Sequence, residues 1–308
     1  MLSVFSVDVE DWFHILNLTN GHGISEWDSL PSRVETNFRR LLDLFTKYDV
    51  RISCFFLGWV AERFPNLVRE ASQLGHEIAS HGYSHDLVYT MSSDEFLADI
   101  KRSKDILENI TGQSVLGYRA PGYSVTEKTP WFFEKVAEAG YRYDSSMFPT
   151  RRGHGGVAGT SCAPYLIPVG TSDTLVEFPI SVAEILKVRI CAFGGGYLRL
   201  FPWWLIKSMA NRVIREGRPV TFYVHPREID ASHPRLPMSA FRAFKSYVNL
   251  ETTYSKLANI LDEFEVTTFK SVLEMSWPEF ACAMPKKRVV PAGATNNARR
   301  IEQDVWSA

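Results

Sequence analysis
VFSVDVEDWFH, residues 4–14, is the stretch from which the rest of the chain is read. Val4, Phe5, Val7 and Val9 make an apolar, alternating run that reads as a buried strand over Leu2 to Val9. The run ends in three acids, Asp8, Glu10 and Asp11, followed at once by Trp12, Phe13 and His14. Carboxylates are costly to bury. Three of them leaving a core strand mark either a strand end at the surface or a site that uses carboxylates, as cation ligands or as a general base.

Outward from this strand, strand-like and helix-like segments alternate. SRVETNFRRLLDLFTKYD (32–49) places Val34, Phe38, Leu41, Leu42 and Phe45 at helical spacing, with Ser32 as N-cap and Glu35 three residues on. RISCFFLG (51–58) is a buried strand, and AERFPNLVREASQLG (61–75) reads as one helix closed by glycine. HEIASHG (76–82) is a short strand. SSDEFLADIKRSKDILENITG (92–112) is a helix capped by Ser92 or Ser93 and ended by Gly112. SVLGYRAP, TPWFFEKVAEAG and YRYDSS continue the rhythm, which predicts parallel strands with helices outside, in a barrel or a doubly wound sheet. It breaks after Pro149, where TRRGHGGVAGTSCAP (150–164) reads as a long loop. TLVEFPIS and KVRICAFGGGYLRLFPWW read as strand-like. WLIKSMANRVIREG (helix), PVTFYVH (strand) and TYSKLANILDEF (helix) restore the pattern.

The 308 residues carry 34 basic and 35 acidic side chains, a formal net charge of -1, which gives no electrostatic grip on nucleic acid. No stretch is long and apolar enough to span a bilayer. No secretory signal is visible, the first basic residue being Arg33, so a cytoplasmic location is expected. The four cysteines, Cys54, Cys162, Cys191 and Cys282, are scattered and predict neither a disulfide framework nor a cysteine metal site.

Three further features lie at strand ends. ASHGYSHD puts His81 and His85 four residues apart, a spacing at which two imidazoles share one face of a helical turn and can hold one cation. FYVHPRE ends a strand at His225. GYRAPGYS ends one at Arg119, ahead of a Pro-Gly turn whose backbone N–H groups at Gly122 or Tyr123 can face a reacting oxygen. In a parallel α/β fold the C-terminal strand ends share one face, so Asp8, His81, His85 and His225 are expected to converge, and a buried Arg119 beside a carboxylate would hold it ionised. His14, His22, His76, His154 and His233 are read as ordinary structural histidines.

Taken in order, SVDVEDWFH, SHGYSHD, YRAPGY, YRYDSSMF and VTFYVHP resemble the motifs of the polysaccharide deacetylases of carbohydrate esterase family 4, over roughly Leu2 to Asp230. The resemblance implies a distorted (β/α) barrel with about seven parallel strands, a divalent metal, usually zinc, and hydrolysis of N-acetyl groups from amino sugars. It implies Asp8 as base, oriented by Arg119, and His225 as acid, with Asp144 helping to place His225. His81 and His85 are implied as metal ligands together with one acid. That acid is Glu10, on the same side of the strand as Asp8, or Asp11 if the strand bends. The oxyanion falls to a backbone N–H near Gly122 or Tyr123. Tyr197, Trp203 and Trp204 are candidates to stack on sugar rings, although the tryptophans equally read as the start of a packed helix.

DVEDWFH, GGGYLRLFP and FYVHPREID together look like a subgroup found with bacterial exopolysaccharide export systems. The expected organisation is a catalytic barrel over 1–230, with a loop and strand insertion around 150–202. A C-terminal extension over 231–277 packs on or completes it, and a flexible tail covers 278–308. The expected partner is an N-acetylated exopolysaccharide or its lipid-linked precursor, with peripheral association to an export system. The oligomeric state is left open. Two competing functions are a C–N hydrolase of a small cyclic amide, similar to allantoinase, and a catalytically inactive saccharide-binding protein.

Overall fold
The computed structural model describes residues 2–15, 23–150, 155–170 and 173–275; the expected tail lies outside them, as do His22 and His154. The first strand, β1 (Ser3–Val9), is buried along its whole length. Its side chains alternate across the sheet. Phe5, Val7 and Val9 join the main core under the helices, while Val4 joins a second cluster with Phe55, Ala79, Tyr143, Val176 and Phe269 on the other face. Asp8 and Glu10 share the parity of Val4, so the second face ends in the carboxylates.

The chain continues through α1 (Val34–Lys47), β2 (Ser53–Phe56), α2 (Gly58–Arg63), α3 (Pro65–Gln73), β3 (Glu77–Ser80), α4 (Ser93–Thr111), β4 (Gly117–Tyr118), α5 (Phe132–Glu138) and β5 (Tyr143–Asp144). Then come β6 (Tyr165–Val169), β7 (Asp173–Glu177), β8 (Ala183–Ile185), β9 (Val188–Ile190), α6 (Gly195–Leu200), α7 (Trp203–Arg215), β10 (Thr221–Val224), α8 (Ala240–Tyr247), α9 (Thr253–Glu263) and β11 (Val266–Thr267). The sheet runs β10-β1-β2-β3-β4-β5-β7-β6. Every neighbouring pair from β10 to β7 is parallel, giving seven parallel strands, and β6 is added antiparallel. Among the described residues no ladder closes the ring between β7 and β10. Side-chain and single backbone bonds do so instead: Thr221 N–H donates to Ser181 Oγ at 2.8 Å, and Tyr223 N–H donates to Phe193 O at 3.1 Å. The fold is therefore a distorted (β/α) barrel.

α4 forms as its sequence dictates. Ser92 and Glu95 make a reciprocal capping box, and Gly112 ends the helix in the left-handed region at φ 67°. Three local expectations are corrected. The helix read over 61–75 is two, α2 and α3, because Pro65 lacks an N–H and opens a new helix. GGYLRL is helical, as α6, rather than strand-like; Gly195, at φ +55°, supplies the turn into it. Ser32 does not cap α1. Its hydroxyl donates to Asp11 Oδ2 at 2.5 Å, and the Asp11 carboxylate accepts the Arg33 and Val34 N–H groups in its place.

The segment after Asp230 is bound into the sheet. β11 pairs with β1, Ser3 N–H donating to Glu265 O while the next N–H, that of Val4, turns the other way to Val220 O. β11 thus lies on the β2 side of β1, and the helix over 269–275 plugs the barrel floor through Phe269 and Val272.

Arg33 at the head of α1 donates to Asp230 Oδ2 at 2.5 Å, and Asn37 donates to the same oxygen at 3.0 Å, which ties α1 to the turn after β10. Burial raises the Asp230 carboxyl, but these donors and Ser232 outweigh it and hold it well below its ordinary value. A depressed carboxyl contributes stability above its unfolded pKa, and that stability disappears as pH falls. Asp230→Ala should cost about 2 kcal/mol near neutral pH. In denaturant melts across pH, the gap to the parent should close below about pH 4.

Candidate metal and catalytic centre
The C-terminal ends of β1, β3 and β10 deliver Asp8, Glu10, His81 and His225 to one cavity of about 350 Å³. His81 directly follows β3. His85 sits in an irregular loop rather than on a helical turn: Gly82 and His85 both adopt left-handed backbone, at φ 74° and 58°. Asp99 on α4 holds this loop, accepting from Tyr83 N–H at 2.8 Å and from Ser84 N–H at 2.9 Å. The two imidazole centroids are 5.4 Å apart.

Glu10, His81 and His85 each offer a ligand atom within 4.8 Å of the others, and all three are buried. The His81 Nδ1 lies 2.8 Å from Arg119 O. A carbonyl only accepts, so the proton is on Nδ1 and the Nε2 lone pair is free for a cation. Burial, with the charge of His85 adding to it, lowers the His81 ring to about 3, so it is neutral. Glu10 Oε2 stands 2.5 Å from His85 Nε2. Burial pushes the Glu10 carboxyl up, but His85 and His225 more than offset this and hold it well down. Two imidazoles and one ionised carboxylate, dry and convergent, fit a divalent cation with open coordination positions.

Asp11 is occupied elsewhere. After Val9 the chain leaves the strand, so Asp11 turns away from the cavity and caps α1. It spends its oxygens on Trp12, Arg33 and Val34 N–H groups and on the Ser32 hydroxyl.

Asp8 meets Arg119 inside the barrel, Arg119 Nη1 donating to Asp8 Oδ1 at 2.6 Å. The remaining guanidinium donors go to Ser6 Oγ, Ser145 O and Ser145 Oγ, and the guanidinium lies 4.0 Å from the Phe55 ring centroid. An ion pair this dry is tolerable because its donors are spent. The second Asp8 oxygen is 3.8 Å from His225 Nε2, which is 3.5 Å from Glu10 Oε1.

His225 is set by Glu228, not by Asp144. Glu228 Oε2 lies 3.1 Å from His225 Nδ1 and also accepts the His225 N–H at 3.1 Å, across the single turn Pro226–Ile229. Its other oxygen is ion-paired with buried Arg199 on α6. Asp144 instead accepts from Ser146 N–H and Oγ and pairs with the Glu177 carboxyl below the cavity. Burial lowers the His225 ring to about 4, against the opposing pull of Glu10 and Asp8.

At the Pro-Gly turn, Tyr123 N–H is consumed by Ala120 O at 3.0 Å. Gly122, left-handed at φ 62°, enters no backbone–backbone bond among the described residues and lines the cavity. Tyr123 contributes its side chain, whose hydroxyl is buried without a partner. Tyr197 lines the cavity mouth on α6. Trp203 packs on Phe264 and Trp204 points outward, so neither tryptophan reaches the cavity.

Two residues escaped the sequence reading. Glu228 was legible in principle as an acid three residues after a strand-final histidine, the spacing of a capping pair. His14 had no such signal. It is 2% exposed and lines the cavity. Its Nδ1 accepts the Asp11 N–H at 2.9 Å, which puts the proton of the neutral ring on Nε2, an atom with no partner.

Matches to known families divide the chain at residue 144 rather than at 230. Residues 24–143 match the polysaccharide deacetylase family, and residues 145–274 match a domain of unknown function, DUF3473. The boundary falls within β5, so His225, Glu228 and α8 lie in the second match. The peptidoglycan deacetylase of Helicobacter pylori is 24% identical over 63% of this chain and 62% of its own length. A peptidoglycan-N-acetylglucosamine deacetylase of Bacillus cereus is 31% identical over 31% of this chain and 35% of its own. This chain thus spans less than two thirds of either relative. Among solved structures, a Mycobacterium smegmatis protein assigned as a polysaccharide deacetylase has a TM-score of 0.61 at 21% identity, covering 94% of both chains. An allantoinase has a TM-score of 0.61 at 18% identity, covering 90% of both. At these identities the likeness speaks for the fold, which deacetylase and allantoinase share. The stretch that carries β2 to β4, residues 24–143, is thus the part of the chain that matches the polysaccharide deacetylase family.

Proposed function
We propose that the protein hydrolyses N-acetyl groups of amino sugars in a bacterial exopolysaccharide or its lipid-linked precursor, releasing acetate. One observation carries the reading: Glu10, His81 and His85 converge beside an Asp8–Arg119 pair and His225 in a single cavity. A divalent cation held by the three, zinc being the usual choice for such a set, supplies Lewis acidity to the acetamide oxygen and acidifies a water.

The chain's own residues move one proton. Asp8, fixed by Arg119, takes it from the attacking water. The water oxygen forms a bond to the acetamide carbon, and Gly122 N–H donates to the oxygen that gains charge. His225 Nε2 stands 3.8 Å from Asp8 Oδ2, a gap that one water bridges, so the proton passes to His225 and from it to nitrogen as the C–N bond breaks. Acetic acid and a free amine leave, the acid giving its proton to the amine or to solvent, and both side chains return to their starting state. Glu228 is a positioning residue that holds the His225 ring and favours its charged form on the way.

Glu228→Gln keeps the shape but removes that charge. It should lower kcat by roughly 10- to 100-fold, with metal content and KM nearly unchanged. Equal kcat in stopped acetate assays would remove Glu228 from the account.

The exopolysaccharide assignment rests on the resemblance of DVEDWFH, GGGYLRLFP and FYVHPREID to that subgroup and on the DUF3473 match. Among the described residues no helix is long and apolar enough to cross a membrane. The allantoinase-like reading is separated by product: acetate from N-acetylglucosamine oligomers supports deacetylation, whereas ring opening of allantoin without acetate release defeats it.

A further inference from the structure
Arg119 and Arg199 are both fully buried and both spent. Arg199 donates to the carbonyls of Lys245, Ser246 and Val248 at the end of α8 and pairs with Glu228. Arg227 differs. It sits two residues after His225 on the same turn and lines the cavity. Its Nε and Nη1 are shut off from solvent and have no hydrogen-bond partner. No described carboxylate forms an ion pair with it, and the acid whose charge reaches it is Glu10. If Glu10 serves a cation, that counter-charge is taken. A shielded guanidinium with idle donors is costly, and such groups are ordinarily satisfied by something.

The wall beside Arg227 has matching chemistry. Arg242 and Lys245 on α8 line the same cavity, and Lys245 is exposed. Tyr197, Phe241 and Phe244 line it too and are 37%, 74% and 52% exposed. Flat apolar faces suit a sugar ring, and a guanidinium fork suits the paired oxygens of a carboxylate or phosphate.

We propose that Arg227, with Arg242 and Lys245 at the rim, forms a subsite for an anionic group, carboxylate or phosphate, carried by the saccharide next to the reacting acetamide. The proposal rests on the deacetylase reading for its substrate and narrows it to acidic saccharides. A neutral oligomer would leave the Arg227 donors idle and bind more weakly.

The test is calorimetric binding to the full chain, zinc-loaded, at low and high salt. The probes are an oligomer alternating glucuronate and N-acetylglucosamine, an N-acetylglucosamine oligomer of equal length, and N-acetylglucosamine 1-phosphate beside N-acetylglucosamine. An anionic ligand should bind about tenfold or more tighter than its neutral counterpart, the advantage shrinking with salt. Arg227→Met should remove the advantage by weakening the anionic ligand. Arg227→Lys, which keeps the charge without the fork, should restore only part of it. Lys245→Met, at an exposed position, should trim it even if the Arg227 variants fail to fold. A gain with phosphate alone keeps the subsite and identifies phosphate as its source. Equal affinities for charged and neutral ligands, or equal losses for both in Arg227→Met, overturn the proposal. Binding requires no turnover, so failure to release acetate from any oligomer would defeat the deacetylase reading without deciding this one.

Discussion

In the Asp8→Asn variant, kcat for acetate release falls by roughly 10²- to 10⁴-fold while bound metal stays at the parental level. The amide can still accept the Arg119 hydrogen bond but cannot take a proton. It also leaves Arg119, buried among Phe55, Ser6 and Ser145, without its counter-charge. Stability must therefore fall as well, by a few kcal/mol. Rates are compared well below the variant's Tm, and far-UV circular dichroism confirms the fold. If Asp8→Asn retained parental kcat, Asp8 would be a structural partner of Arg119 and nothing more.

The second large effect separates neighbouring acids. Glu10→Ala and His81→Ala should each weaken metal binding beyond the roughly 10- to 100-fold typical of outer-shell partners and abolish acetate release with it. Asp11→Ala should keep metal and most activity, and lose about 1–2 kcal/mol because α1 loses its cap. Metal content by elemental analysis and stability by urea melts read the two losses separately. Metal loss in Asp11→Ala with retention in Glu10→Ala would reverse the assignment.

This division of the acids was only partly legible in the sequence. Strand alternation put Asp8 and Glu10 on one face, and the fold bears that parity through the last residue of β1. What Asp11 does depends on the chain leaving the strand after Val9 and on α1 arriving beside it, which no local pattern encodes. The same limit explains Ser32, a sound local cap displaced by a carboxylate 21 residues away. Local signals succeeded where the partners are local: the Ser92–Glu95 box, the Gly112 stop, the β-α alternation. The convergence of Asp8, His81 and His225 followed from that alternation together with the strand ends, whereas the choice of a barrel over a doubly wound sheet came only with the motif resemblance.

Positions whose partners come from the chain's second half were hidden. Arg199 and Glu228 are 29 residues apart, on a helix read as strand-like and on a turn. They meet because Gly194 pairs with Tyr223 and brings α6 beside the end of β10. The resemblance offered Asp144 to place His225, yet its partners are Ser146 and Glu177. His14 was read as an ordinary structural histidine, and only the bond from Asp11 N–H reveals which nitrogen carries the proton.

The central claim is that Glu10, His81 and His85 hold a divalent cation on which deacetylation depends. Elemental analysis of the purified chain, paired with acetate release from an N-acetylated oligosaccharide before and after chelation, tests it most directly. One cation per chain, loss of acetate release on chelation and recovery on adding zinc back are the expected results. Acetate release that persists undiminished in chelated, metal-free protein would contradict it.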